Sequence, residues 1–450
     1  MFEKPRFWRS TAGVVAFVVT LALSPGCRLP PQRAIPFDPP IARPLAPADD
    51  PCGSPGVMPN TAMSPTPGYM APFDMAFADG CPMRRPRNVL VFSGGGAYGA
   101  YSAGFVDGWT RSGTRPEFDV VTGISTGSLI APFAFLGPEY DARLGQLYTQ
   151  VQAAHIFRIR AWVSIPFRDS VASSAPLKAL IDQEITPDLM NRIAAEHRKG
   201  RRLYVGTTNL DTRRLVVWDM GAIACRPCQE GCQLFRDVLL ASSAVPGMLS
   251  PVRFDIEVDG KKSTELHADG GISAQLFVPS HVFAEAAQGA ADDAARSQAP
   301  PGADPMPPAG NLYVVVAGKL YPDAGPVRPR VLPVLGATTG TLLYAHCRAD
   351  LANLYGLSRA SGLKYHLTSL AQEFRTLETS VDFNQKEMAK LFFEGRQQGM
   401  NGPAWMYGPP TLSPGDGDFI RSGLKMRTPP TPVPIPAPGY PAPPNDRPGW

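Results

Sequence analysis

The segment Asn88-Val89-Leu90-Val91-Phe92-Ser93 is an unbroken apolar run rich in β-formers, and it stops at three consecutive glycines, Gly94-Gly95-Gly96. A run without polar alternation fits a strand covered on both faces, as in a parallel sheet. The pattern then repeats. Ala100 to Trp109 reads as a helix ended near Gly113, and Phe118 to Thr122 as a second buried strand. Gly123-Ile124-Ser125-Thr126-Gly127 leads from it into an apolar helix reaching Leu136. Leu203–Thr208, Leu215–Asp219 and Leu312–Ala317 read as further strands, and Asp237–Ala244 as a helix. Strands alternating with helices predict an α/β fold, a three-layer α/β/α sandwich with a mostly parallel central sheet.

Proline limits how far that sandwich extends. Of 50 prolines, 31 fall in residues 1–86 and 401–450, which leaves an ordinary frequency in the 314 residues between. The expected organisation is a signal peptide at 1–26, a Pro-rich tether at 27–86, a folded domain at 87–400 and a Pro-rich, solvated tail at 401–450. Within the domain, 287–310 reads as a mobile surface loop because it is built from Ala, Pro and Asp. A formal net charge of +4 is too small and too scattered to argue for nucleic acid.

Lys4, Arg6 and Arg9 precede an apolar run from Ala12 to Leu23, and small residues follow around Gly26. This is the layout of an export signal, too short to span a bilayer as a helix. Leu23-Ser24-Pro25-Gly26-Cys27 resembles the lipobox of bacterial lipoproteins, although Ser24 and Pro25 depart from it. The resemblance implies lipidation of Cys27, a membrane anchor and a place in the cell envelope, in the manner of an outer-membrane lipoprotein. A periplasmic or secreted chain is the alternative. In an exported protein, the remaining six cysteines favour disulfides. Cys225-x2-Cys228-x3-Cys232 with His346 is an alternative metal site, but its spacing is not the paired form of zinc sites.

Three local patterns carry chemistry. Gly94-Gly95-Gly96-Ala97-Tyr98-Gly99 ends the first strand, where glycines let several N–H groups converge on a negative oxygen at a helix amino terminus. Gly94, Gly96 and Gly99 also satisfy the dinucleotide fingerprint. The acid that fingerprint needs would be Asp119, which begins its strand instead of ending it. Gly123-x-Ser125-x-Gly127 sits where a strand turns into a helix, the setting of a serine elbow. Asp269-Gly270-Gly271 reads as a tight turn.

In that order along the chain, the glycine loop, the serine elbow and the DGG turn resemble the patatin-like phospholipases. Ser174-Ala175-Pro176-Leu177 and the stretch Ala241-Ser242-Ser243-Ala244-Val245-Pro246-Gly247 with Pro251 extend the resemblance over most of 88–280, and less clearly to about 400. It implies a lipid acyl hydrolase of the phospholipase A or lysophospholipase type. Ser125 would be the nucleophile and Asp269 its partner in a Ser-Asp dyad. The backbone of Gly94, Gly95 and Gly96 would form the oxyanion hole, Gly123 and Gly127 the elbow, and Gly270 and Gly271 the turn. The family usually carries Lys or Arg where this chain has Tyr98, which puts cationic assistance in doubt.

Serine needs a base within hydrogen-bond reach, and a carboxylate near its reference pKa of about 3.9 is a weak one, so burial of Asp269 is expected to raise its basicity. The mechanism requires no metal or organic cofactor; its partners are a phospholipid or other acyl-ester lipid and the membrane surface. A Ser-His-acid triad would instead recruit His281 or His346 after Asp269, while His267 reads as structural. Ile124, Leu129, Ile130, Phe133 and Phe135 are candidates for an acyl channel or for plain helix packing. The competing function is a non-catalytic envelope lipoprotein that binds lipid or a partner on the same scaffold.

Overall fold

The computed structural model describes residues 82–410, apart from 227, 259–260, 298–309, 324 and 376–379. The expected signal peptide, Cys27, Cys52, Cys81, nearly all of the expected tether and residues beyond Pro410 lie outside the described residues.

The strands are β1 Asn88–Phe92, β2 Val120–Ile124, β3 Arg158–Ile159, β4 Ala172–Ser173, β5 Arg202–Asn209, β6 Arg214–Asp219, β7 Val252–Val258, β8 Lys261–Asp269, β9 Gly310–Val315 and β10 Leu363–Thr368. The longer helices are α1 Gly99–Arg111, α2 Thr126–Leu136, α3 Asp141–Gln150, α4 Ala175–Glu184, α5 Pro187–Arg198, α6 Cys228–Ser242, α7 Ser280–Ser297, α8 Val331–Ala360 and α9 Gln385–Met400.

The central sheet has the order β10-β9-β1-β2-β5-β8-β7, with β6 also paired to β5. From β10 to β5 every pairing is parallel; β6, β8 and β7 are joined antiparallel. Alternation along each strand feeds two cores. Leu90, Phe92, Val121, Leu203 and Val205 face one, packed under α1, α2, α6 and α9. Val89, Val91, Val120, Tyr204, Leu312 and Val314 face the other, under α7 and α8. The fold is the three-layer α/β/α arrangement with a mostly parallel sheet. Burying each such Val, Leu or Phe contributes about 1.5–3 kcal/mol, which is why the strands show no polar alternation.

The helix closest to the chemistry is fixed at its far end. Buried Arg115 donates to the Ala134 carbonyl and pairs with Asp141 at 2.9 Å, and Arg201 donates to the Phe135 carbonyl. Both guanidiniums satisfy orphan carbonyls at the carboxyl end of α2. α1, which opens just after the glycine loop, is crossed by α9 at backbone contact distance. A Cβ at Gly104 would lie 1.9 Å from the Phe392 carbonyl oxygen, and one at Gly395 would lie 2.1 Å from that of Tyr101.

Several sequence expectations need correction. The stretch 287–297 is not loop: α7 runs from Ser280 to Ser297, held by Val282, Phe283 and Ala286 in the second core. The folded part also exceeds 87–400 at both ends. Arg84 bonds Asp119 and Gly200, and Arg85 bonds Asp293. Trp405 packs against Phe105, Trp109 and Tyr313, and Met406 bridges to Leu367. Aromatic burial outweighs the local proline content there. Cys347 is a free thiol packed against the second core, away from the other described cysteines, and burial pushes it up to about 12. Cys225 and Cys232 belong to the first core while His346 rides on α8 over the second, so the sheet separates that metal-site alternative. No group of three or more His, Cys, Asp or Glu side chains is placed to hold a metal among the described residues.

Candidate active site

Parallel strands place their following loops at one edge of a sheet, and the crevice outside the carboxyl ends is where α/β folds bind ligands. The loop after β1 carries Gly94–Gly96 and the turn after β2 carries Ser125. The antiparallel β8 delivers Asp269 opposite Thr207, near the carboxyl end of β5. Three segments widely separated in sequence therefore converge. Asp119 lies at the opposite edge, where it accepts from Arg84 and from the N–H groups of Arg87 and Asn88. It is a structural acid there, and the dinucleotide reading loses its ribose partner.

Ser125 has φ 54° and ψ −126°, a conformation costing a non-glycine residue about 1–3 kcal/mol. Its surroundings hold it there. The Ser125 N–H donates to Ser242 Oγ at 3.0 Å, and its carbonyl accepts from the Ser128 N–H at 2.9 Å and from Ser128 Oγ at 2.6 Å. The flanking glycines serve close packing: a Cβ at Gly123 would sit 2.4 Å from the Gly127 carbonyl oxygen, and one at Gly127 would sit 2.7 Å from that of Ser93.

Asp269 is buried, and its Oδ1 accepts the Gly271 N–H at 2.8 Å. Burial pushes its carboxyl up to about 6, against the opposing pull of a hydrogen bond from the Ser125 side chain and of the Gly271 N–H. The elbow and the DGG turn therefore bring the predicted pair into contact. Gly270 permits this approach, because a Cβ there would lie 2.5 Å from the Gly206 carbonyl oxygen.

The glycine loop packs directly on Ser125: a Cβ at Gly94 would lie 3.2 Å from that of Ser125. The Gly94 N–H makes a long 3.4 Å contact to the Gln275 carbonyl. The N–H groups of Gly95 and Gly96 carry no partner among the described residues. With φ 57°, Gly96 is in the left-handed region, and the Ser380 carbonyl closes over it while accepting the Ala97 N–H at 2.8 Å. Tyr98 is half-buried beside Gly318, with no basic side chain in its place.

The histidines are engaged elsewhere. His267 bonds Thr207 and Glu265 beneath Trp218 and Phe254, His281 bonds the Tyr204 hydroxyl, and His346 faces Asp350. The partners of Asp269 at the elbow are Ser125 and Gly271.

An apolar cavity of about 80 Å³ counts Thr126, the residue after Ser125, among its lining. Leu129, Phe133, Leu177, Ile181 and Met388 are among its lining, and Glu184 stands in its wall, paired with Arg143. Of the five candidate channel residues, Leu129 and Phe133 line it. Ile130 and Phe135, on α2, are instead packed in the first core, and Ile124, the last residue of β2, in the second.

Two supporting residues escaped the sequence reading. Ser242 Oγ accepts from Ser125 and donates to the Gly206 carbonyl at 2.8 Å, although only its stretch stood out in the sequence. Gln275 bonds the Gly271 carbonyl through Nε2 at 2.7 Å, and its own N–H donates to Asp350 on α8 at 2.7 Å. No local pattern marks either role.

Residues 90–280 match the family model of the patatin-like phospholipases. A patatin-like phospholipase domain-containing protein of Meyerozyma guilliermondii is 29% identical over 182 residues. That match takes in 40% of this chain but 24% of the fungal protein, so the chain spans about a quarter of that relative's length. Among solved structures, VipD from Legionella pneumophila is similar at 12% identity and a TM-score of 0.32, over 71% of this chain and 67% of VipD.

Proposed function

We propose that this chain, whose residues 90–280 belong to the patatin-like phospholipase family, hydrolyses acyl-ester lipids through a Ser125–Asp269 dyad. Family membership supports lipid acyl hydrolysis in general. The dyad rests on one observation: a buried carboxyl pushed up to about 6 receives the hydroxyl of a serine held in a strained elbow. A base with a pKa near the working pH combines the required ionised form with useful basicity.

In the proposed cycle, Ser125 Oγ bonds to the ester carbonyl carbon as its proton passes to Asp269. The Gly95 and Gly96 N–H groups and the amino end of α2 stabilise the oxyanion, with each such donor worth about 2.7–4 kcal/mol. Collapse breaks the ester C–O bond, and protonated Asp269 returns the proton to the departing alcohol. Water then attacks the acyl-enzyme, losing a proton to Asp269. Collapse releases the fatty acid, with its leaving serine oxygen reprotonated by Asp269. The cavity from Thr126 to Met388 suits the acyl chain, which favours a lipid of the phospholipase A or lysophospholipase type.

A fluorophosphonate probe tests the reading. Labelling of the wild type but not of Ser125→Ala, with loss of ester turnover in Asp269→Asn, supports it. No labelling of the wild type would favour the non-catalytic lipid-binding alternative. For residues 1–27 we propose export and lipidation at Cys27, which would hold the enzyme at the cell envelope. Radiolabelled palmitate incorporated into wild type but not into Cys27→Ala supports the anchor, and an unlabelled mature chain removes it.

A further inference from the structure

α8 is far longer than the strands it serves. It connects parallel β9 to β10 and ends at Ala360, immediately before β10 begins, so it runs antiparallel to both strands. Six-residue strands span about 20 Å, whereas thirty helical residues span about 45 Å. The excess emerges at the carboxyl edge of the sheet, where Ser125 and Asp269 lie. The two halves of the helix differ accordingly. In the second, Leu351, Leu354 and Ser358 recur at helical spacing and are buried. In the first, Val331 is 81% exposed, Leu335 59% and Leu342 64%.

This overhang is unlike a solvated helix. From Val331 to Ala345 it contains no charged residue. Two of its three threonine hydroxyls bond back into the helix: Thr338 donates to the Val334 carbonyl at 2.9 Å and Thr341 to that of Ala337 at 2.8 Å. Such back-bonding suits polar side chains in a medium that cannot hydrogen-bond. The exposed Arg328 and Arg330 precede the helix, supplying cations for anionic headgroups. Toward its base, Asp350 accepts the N–H of Gln275, the residue whose carbonyl meets the glycine loop and whose Nε2 bonds the Gly271 carbonyl. The overhang thus stands beside the active-site mouth.

We propose that residues 331–343 of α8 dock the protein onto the bilayer that holds its substrate, with the apolar helix entering the interface and Arg328 and Arg330 meeting lipid phosphates. The proposal rests on the lipid-hydrolase reading for the identity of the surface. A second exposed patch supports it. Ile159 and Phe167, flanked by Arg158 and Arg168, sit on the β3–β4 ribbon, whose Val171 and Ala172 N–H groups bond Gly247 and Met248 shortly after Ser243.

The test uses the full chain with vesicles of three parts phosphatidylcholine to one part phosphatidylglycerol, part of the phosphatidylcholine carrying brominated acyl chains. In Leu335→Trp, the added emission is expected to be quenched at least two-fold more strongly than that of the wild-type tryptophans. A Leu335→Glu/Leu342→Glu double variant is expected to lose at least ten-fold in rate on vesicle phospholipid, yet stay within two-fold of wild type on a soluble short-chain ester. Absence of quenching at position 335, or an unchanged vesicle rate in the double variant, overturns docking. So does a double variant that converts a dimer to a monomer without altering vesicle binding, since the helix would then serve a second copy. Quenching at position 335 in a protein that turns over no ester would sink the hydrolase reading and leave docking standing.

Discussion

Ser242 Oγ stands 3.0 Å from the Ser125 nitrogen, so one buried hydroxyl receives the N–H of the strained elbow residue. The same oxygen donates to the Gly206 carbonyl on β5, the strand between the Ser125 and Asp269 strands. Ser242→Ala would take away the side-chain acceptor of the buried Ser125 N–H, at about 1–3 kcal/mol for an unsatisfied group. We expect a lower melting temperature and a fall in kcat of ten-fold or more on a short-chain ester, with KM little changed. Steady-state kinetics beside calorimetry decides it: a lower melting temperature at unchanged kcat would make Ser242 structural only.

In the proposed cycle Asp269 acts as a base only when ionised. With its carboxyl pushed up to about 6, kcat/KM on a soluble ester should be flat above pH 7 and fall tenfold per unit well below pH 6. An ordinary exposed aspartate would keep the rate constant down to about pH 4. A pH–rate profile between 4.5 and 8 separates the two.

The same raised value carries a stability cost. Between pH 4 and 6 the folded protein binds more protons at Asp269 than the unfolded chain does, so this group lowers stability as pH rises through that window. At pH 7 the deficit is on the order of 3 kcal/mol, from about 1.4 kcal/mol per pH unit between the two pKa values. Asp269→Asn is therefore expected to be inactive yet at least as heat-stable as wild type at pH 7.5, with the difference vanishing toward pH 4. A calorimetric pH series reads this directly.

The apolar cavity predicts a chain-length effect. Leu129→Trp would fill the space next to Thr126. Rates on C12–C16 p-nitrophenyl esters should drop ten-fold or more, while the C4 ester stays within about three-fold. Equal losses on every ester would show that the acyl chain lies elsewhere.

Packing around the elbow separates structure from chemistry. In Gly123→Ala the new Cβ would sit 2.4 Å from the Gly127 carbonyl oxygen, and overpacking of this kind costs about 1–3 kcal/mol or more. Both activity and melting temperature should fall. Ser125→Ala should abolish activity while melting within a few degrees of wild type.

Much of this was legible in the chain. The buried β1 run, the glycines after it, the elbow around Ser125 and the DGG turn are local patterns, each read from a few adjacent residues. They sufficed for the parallel sheet and the three layers, and the family resemblance they carry singled out Ser125 and Asp269, which the fold brings into contact. Periodicity failed where tertiary contact overrides local composition. The Ala- and Asp-containing stretch 287–297 is helix because Val282, Phe283 and Ala286 anchor its first turns, and Trp405 draws a proline-rich segment back onto Trp109. Gly104-x3-Gly108 and Gly395-x3-Gly399 are visible in the sequence, but spacing announces a close approach without saying to which helix.

The local motifs were legible in the chain, because a serine elbow, a glycine loop and an Asp-Gly-Gly turn are each specified by the steric needs of neighbouring residues, and the proposed roles of Ser125 and Asp269 follow from the family those motifs resemble. The environment of those groups comes from the assembled fold. The basicity of Asp269 comes from burial by elements far along the chain, and the brace on Ser125 comes from a hydroxyl 117 residues away. The overhang of α8 is likewise set by comparing a helix with strands it does not adjoin in sequence. Desolvation, hydrogen-bond closure and relative length are properties of the assembled layers, and no window of adjacent residues contains them.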